Sequence, residues 1–344
     1  LFLIFLLCIS CVNKKTQHNI FKYNETSSIT SLDPIFSNNQ PNIWAVNQIF
    51  NTLTILDNDL NIQPSIAKDW HISNDGLKYI FIIRNDIFYH NSICFGLDST
   101  RRLVASDFIY SISRILNRDN LSPGAWVMDY IDLNNTRAVN DTVLELYVNK
   151  PFPGFLGLLS MNYFSFVPHE AVDYFGKDFS QNPIGTGPFY FKKWIKNDKL
   201  ILRKNYHYFE YQNGVRLPYL DGVSVSFITQ KESVFMNFIL GNFDFVSGLD
   251  NSFKDEFLNP KGELLVNYCD KFQLMTTPYL NIEYLGINIV KANNENSPLR
   301  FKNFRKALNY SFDRKIMAKY LRNGLVSPAT KGFVPSVLSN CYDV

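Results

Sequence analysis

A chain of 344 residues exceeds one ordinary small core and sets an expectation of two domains or one large α/β unit. Hydrophobic residues make up 46% of it, with 30 Phe and 19 Tyr, a supply that excludes intrinsic disorder. The net charge of +3 arises from 34 basic and 31 acidic residues spread without a dense Lys/Arg block, which argues against nucleic acid as a partner.

The chain opens with LFLIFLLCIS, an apolar run ending at Cys11, and then turns polar with VNKKTQHN. The run is too short to span a bilayer and fits the apolar part of an export signal. Neither Met nor a basic lead precedes it, so the true N-terminus is expected upstream. Ser10 before Cys11 resembles a bacterial lipobox, which implies lipidation of Cys11 and a membrane anchor, although Cys8 stands where leucine is usual. Cys8 and Cys11 also have the C-x-x-C spacing of redox and metal sites. Their place in the apolar run favours targeting over that chemistry. Cys94, Cys269 and Cys341 are too scattered to predict a disulfide framework.

Residues 12–28 are polar and read as a tether. SITSLDPIFSNNQPNIW carries Asp-Pro, Asn-Asn and Gln-Pro turn signals and reads as loop. NIWAVNQIFNTLTIL spaces Ile43, Val46 and Ile49-Phe50 as a short amphipathic helix leading into a strand. LKYIFIIRNDIFYHN is a β segment after the turn Asn74-Asp75-Gly76. SDFIYSISRILNR spaces Phe108, Ile112 and Ile115-Leu116 along one helical face, with Ser106 and Asp107 as candidate caps. TVLELYVNKPFP is a strand stopped by Pro151 and Pro153.

NPIGTGPFYFKKW (Asn182 to Trp194) raises the possibility of a phosphate-binding glycine loop. Such a loop opens a helix and ends in Gly-Lys-Ser/Thr, whereas here two alternating runs, Phe189 to Lys192 and Leu200 to Lys204, flank a polar turn and read as a hairpin. PYLDGVSVSFI alternates again. VFMNFILGNFDFVSGL predicts a helix over Val234 to Leu240, ended by Gly241 and followed by a strand. LRFKNFRKALNYSFDRKIMAKYL is the clearest helical segment. Strands and helices alternate irregularly without a repeat, which favours an α/β protein of more than one lobe.

Catalytic and metal signals are weak. His18, His71, His90, His169 and His207 include no pair at metal-ligand spacing, and His169-Glu170 does not continue into H-E-x-x-H. There is no G-x-S-x-G elbow. Asp313-Arg314 fits an active-site pair, but a surface ion pair or cap is commoner in such a segment.

Several segments, in order along nearly the whole chain, resemble the extracytoplasmic solute-binding proteins of bacterial peptide-type ABC importers, solute-binding family 5. Ala67, Trp70, Ser73, Asp75-Gly76-Leu77, Tyr79, Phe81, Arg84 and His90 resemble one block, and Ala105, Asp107-Phe108, Tyr110-Ser111 and Arg114 the helix after it. Pro183, Gly185-Thr186-Gly187-Pro188, Trp194, Arg203-Lys204-Asn205 and Tyr208 resemble the "P-V-G-T-G-P-Y" block and its sequel. Pro218-Tyr219-Leu220-Asp221, the Gly241 to Asp244 turn, Arg305-Lys306-Ala307-Leu308, Asp313-Arg314-Lys315 and Gly324 continue the pattern. NSICFGLDSTRRLV departs from it where the family has a short "H-D-G" turn.

The resemblance implies an α/β, periplasmic-binding-protein-like two-lobe fold of the class II type, with an extra α+β domain inserted in the first lobe. It places lobe I at 29–52 and 171–277, the inserted domain at 53–170 and the start of lobe II at 278–344. Family members continue past the Gly332 to Ser336 segment, so lobe II is expected to be incomplete in this sequence, without the acidic anchor for a peptide's amino terminus. The implied function is non-enzymatic and cofactor-free: peptides bound in an inter-lobe cleft and delivered to an ABC permease powered by a separate ATPase. Alternatives are another solute, such as a nickel chelate, haem or an oligosaccharide, or a truncated surface lipoprotein without transport function. The loop Phe36 to Trp44 and the segment Gly124 to Tyr130 are expected to face the cleft, with Asn38, Asn39, Trp126 and Tyr130 as ligand-binding candidates. Plain packing is the competing reading for Trp126 and Tyr130.

Overall fold

The computed structural model describes residues 18–248, 253–259, 262–277, 281–322, 326–329 and 332–335. Cys8, Cys11, Gly324 and Cys341, with the export-signal and lipobox readings, lie outside these residues. The chain divides into two compact units, one ending at Ser247 and the other beginning at Gly248.

The first unit contains two four-stranded sheets. One has the order β1-β12-β9-β8, from β1 (Ile20–Asn24), β12 (Gly222–Ser226), β9 (Lys199–Lys204) and β8 (Phe189–Ile195). β1 pairs parallel to β12, from Ile20 opposite Gly222 to Asn24 opposite Ser226, and the remaining pairs are antiparallel. The tether expected over residues 12–28 therefore needs correction, because Ile20–Asn24 is a strand. A five-residue parallel strand gains its ladder from β12, some two hundred residues later, and local sequence gives no sign of that partner. The β8/β9 hairpin forms as expected, with Asn197 at φ 60 in its turn.

The other sheet is antiparallel, in the order β4-β5-β7-β6, from β4 (Ala67–Ile72), β5 (Lys78–Ile83), β7 (Val143–Val148) and β6 (Ile131–Asn140). Short ribbons pair β2 (Thr54–Leu56) with β3 (Ile62–Pro64), and β10 (Tyr211–Gln212) with β11 (Val215–Arg216). Each large sheet has its own core. Phe81, Leu144, Leu146 and Phe108 belong to one, and Val46, Ile49, Leu200, Leu202 and Val225 to the other.

The helices of this unit are α1 (Gln40–Ile49), α2 (Ala105–Leu116), α3 (Phe155–Leu158), α4 (His169–Phe175) and α5 (Lys231–Ile239). α2 buries the expected Phe108, Ile112 and Ile115, while Leu116 lies exposed. Its cap differs from expectation: the N-cap is Val104, Ser106 is exposed, and Asp107 accepts from the Val104 amide at 3.0 Å. Asp107 is held there by Arg101, which also binds Glu170 at the start of α4. After α5 and Gly241, the expected strand is reduced to a single parallel bridge from Phe245 to Tyr23.

The second unit contains α6 (Lys254–Phe257), α7 (Ile289–Asn294), α8 (Lys302–Tyr310) and α9 (Arg314–Tyr320). The long helical segment expected near the end is two helices, because Asp313 leaves helical geometry and caps α9, accepting from the amides of Lys315 at 2.7 Å and Ile316 at 3.2 Å. Asp313 is thus a cap, and Arg314 bonds Asn309 instead of Asp313.

Candidate functional site

Two glycines of the GTGP stretch are fixed by a close approach of backbones. A Cβ on Gly187 would lie 2.5 Å from the Ile49 carbonyl carbon and 2.6 Å from the Gln48 carbonyl oxygen, and one on Gly185 would overlap the Ile49 carbonyl. Neither has a positive φ, so what demands glycine at both positions is steric proximity with the end of α1 and not a left-handed turn. The Gly187 amide donates to the Ile49 carbonyl at 2.8 Å, and its own carbonyl accepts from His90 Nε2 at 2.9 Å and from Asn205 Nδ2 at 3.0 Å. His90 Nδ1 faces the Gly185 amide at 3.4 Å, which fixes the Nε2–H tautomer. Burial lowers the His90 pKa to about 4, so it serves as a neutral clasp. The stretch welds the hairpin to α1, with the Gly185 and Gly187 amides engaged by His90 and Ile49 and not by a phosphate.

The segments expected to carry ligand contacts are joined. Asp33 caps the short 3-10 turn Pro34–Phe36 through the Ile35 amide and forms a buried bidentate pair with Arg114 of α2, at 3.1 and 2.6 Å. Arg114 also lies over the Phe179 ring, 5.2 Å from its centroid. Ser122 Oγ donates to the Ile35 carbonyl at 2.6 Å and accepts from the Gly124 amide at 3.1 Å, which sets the 122–124 segment against the 34–36 turn. Asn42, fully buried in α1, accepts from the Thr30 amide and donates to Thr30 Oγ1 and the Phe36 carbonyl. Asn162, itself buried, donates to Asn47 and the Ile43 carbonyl and so braces the helix.

On this scaffold the four candidates separate. Asn38 is exposed, and so is Trp126, with 48% of its surface accessible. Asn39 is the N-cap of α1, its oxygen accepting from the Asn42 amide at 3.1 Å. Tyr130 is part-buried and stacks on Phe152 with ring centroids 5.0 Å apart, a packing contact.

Glu25 escaped the sequence reading because it lay in the supposed tether. It directly follows β1 and is 9% exposed. Its amide donates to the Ser226 carbonyl at 2.9 Å, whereas its Oε1 is buried without a hydrogen-bond partner. Burial raises its pKa to about 7. Tyr23, two residues back and so on the same face of β1, has its own pKa raised, first by burial and then by the Glu25 charge. Tyr23 contacts Trp44 of α1, with ring centroids 6.4 Å apart. The sequence signal that marks Glu25 is an acidic residue at the carboxyl end of a strand, visible once β1 is recognised.

The family model for bacterial extracellular solute-binding proteins, family 5 (middle), matches residues 61–343. Among curated relatives, the glutathione-binding protein GsiB of Salmonella typhimurium is 24% identical over 311 residues, covering 90% of this chain and 55% of the relative. The probable deoxycholate-binding periplasmic protein YgiS of Escherichia coli is 25% identical, covering 92% and 57%. This chain thus spans about half the length of the curated relatives it matches. Among solved structures, the murein tripeptide binding protein MppA of Escherichia coli aligns with TM-score 0.74 at 22% identity, covering 93% of this chain and 61% of that one. The periplasmic binding protein DppA of Helicobacter pylori in complex with peptide STSA aligns with TM-score 0.62 at 25% identity, covering 69% and 48%. The ordered motifs, the mixed α/β fold and a match over most of the sequence agree, and the chain belongs to the bacterial extracellular solute-binding proteins, family 5, a family of binding proteins and not of enzymes.

Proposed function

We infer that this protein captures peptides outside the cytoplasmic membrane and delivers them to an ABC importer, with Cys11 lipidated as its membrane anchor. The family match over residues 61–343 carries the reading. The DppA structure in complex with a peptide supports peptide as the solute class. An extended peptide is held largely by main-chain hydrogen bonds, which tolerate varied side chains. Asn38, just before the capped start of α1, and Trp126 are exposed and are the ligand contacts of this reading. Asn39 serves as the cap of α1 and Tyr130 as packing. Residues 53–170, which carry the second sheet, form the inserted domain of lobe I, and the permease and ATPase are separate chains.

Calorimetric titration of the full-length protein with di- to pentapeptides tests this function, with Ni(L-His), haem and an oligosaccharide run alongside. Saturable peptide binding is expected. Saturation by one of the other solutes, with no peptide bound, refutes peptide as the cargo. Fatty-acid labelling that persists in Cys11→Ser refutes the anchor.

A further inference from the structure

Among the described residues, four acidic side chains are buried: Glu25, Asp33, Asp107 and Glu145. Three have cations. Asp33 pairs with Arg114, Asp107 with Arg101, and Glu145 with Lys78 and Arg137. Glu25 has no described Lys, Arg or His within ion-pair distance and no hydrogen bond to Oε1. A carboxylate withdrawn from water and left unpaired is costly, and such groups pair, neutralise or await a partner.

The surroundings favour a partner from outside the fold. Glu25 stands at the carboxyl end of β1, which runs parallel to β12, and open α/β sheets bind ligands beyond the carboxyl ends of their strands. Its backbone is firmly held. The Asn24 side chain donates to the Ile228 carbonyl at 2.9 Å and accepts from the Ile228 amide at 2.8 Å, and the Glu25 amide is bonded to Ser226. A fixed backbone under an unsatisfied acid is the arrangement expected of a preorganised binding group, whereas a stray surface carboxylate would swing into water. Tyr23 on the same face and Trp44 against it add two aromatic rings, and such faces attract cations but not anions. The same loop is tied through Thr30 and Asn42 to the start of α1, where the exposed Asn38 lies.

We propose that Glu25, with Tyr23 on the same face and Trp44 packed against Tyr23, forms a subsite for a cationic side chain of the ligand, an ammonium or guanidinium, and makes this protein selective for basic peptides. The proposal rests on the peptide reading above, and its test separates the two. Affinities of the full-length protein and of Glu25→Gln are measured by calorimetry for tri-alanine, for the same peptide with lysine at each position in turn, and for lysine amide alone. In the wild type at least one lysine peptide is expected to bind at least about tenfold more tightly than tri-alanine, a preference of the size one charge-assisted hydrogen bond supplies. Glu25→Gln is expected to reduce that ratio to near unity. A wild type indifferent to lysine, or a ratio retained in Glu25→Gln, overturns the subsite while peptide binding itself stands. If no peptide binds, the peptide reading falls. Lysine amide then decides the subsite: binding to the wild type and not to Glu25→Gln supports it, and equal binding or none overturns it. Glu25→Asp, which keeps the charge but shortens its reach, is expected to retain part of the preference.

Discussion

Replacing Gly187 by alanine tests whether the GTGP stretch is a backbone weld. The added Cβ would sit 2.5 Å from the Ile49 carbonyl carbon, 2.6 Å from the Gln48 carbonyl oxygen and 2.7 Å from the Ile49 carbonyl oxygen. All three are backbone atoms at the end of α1, so no side-chain rotation relieves the clash, and the two backbone segments must part by roughly 0.8 Å to reach ordinary contact. That movement pulls on the Gly187 amide bond to Ile49 and on the His90 and Asn205 bonds to the Gly187 carbonyl. At about 1 kcal/mol net for each hydrogen bond weakened, plus residual repulsion, the expected loss is about 3–4 kcal/mol. Urea unfolding followed by tryptophan fluorescence measures it, because the four tryptophans, Trp44, Trp70, Trp126 and Trp194, all precede Ser247 and report the first unit. Gly157→Ala is the control: its Cβ would meet only the Ile62 Cδ1 atom, at 3.7 Å, and a change within about 0.5 kcal/mol is expected. If Gly187→Ala unfolds within 1 kcal/mol of the wild type, the close-approach account is wrong.

Other outcomes follow from buried charge. Arg114→Met strands the Asp33 carboxylate and is expected to cost about 3–5 kcal/mol, with Asp33→Asn added to it recovering part of the loss; a loss below 1 kcal/mol in the single variant would contradict a buried pair. His90 is neutral in the fold, with its pKa lowered to about 4, so its contribution is complete above about pH 6.5 and is lost as pH falls toward 4. Glu25 has the opposite sign. With its pKa raised to about 7, the folded state holds the proton more tightly than the unfolded chain, so stability declines as pH rises from about 4.5 to 7. Urea midpoints between pH 4.5 and 7.5 should therefore vary little in the wild type and rise with pH in Glu25→Gln; parallel curves for the two proteins would refute the assignment. Asn42→Ala removes the bonds to Thr30 and Phe36 and is expected to cost about 2–3 kcal/mol in the same assay.

What the sequence made legible depended on the range of the interaction that stabilises each feature. The β8/β9 hairpin and the apolar face of α2 rest on neighbours a few residues away, and the pattern of Phe108, Ile112 and Ile115 displays that face directly. β1 depends on β12, and its five residues have a polar flank on either side, so the strand was hidden until its partner was brought alongside. The candidate site divides in the same way. Asn39 precedes Gln40-Pro41 at the start of α1, a local cap signature that accounts for it without a ligand. Tyr130 is explained by Phe152, which lies within the same sheet-packed core. Glu25 has no such explanation. Its burial is created by segments remote in sequence, and none of them supplies the positive charge that Asp33, Asp107 and Glu145 each receive. Among the described residues three buried acids have cations and the fourth has none, on a clamped backbone with Tyr23 on the same face, and that imbalance is what a cation carried by the ligand would correct.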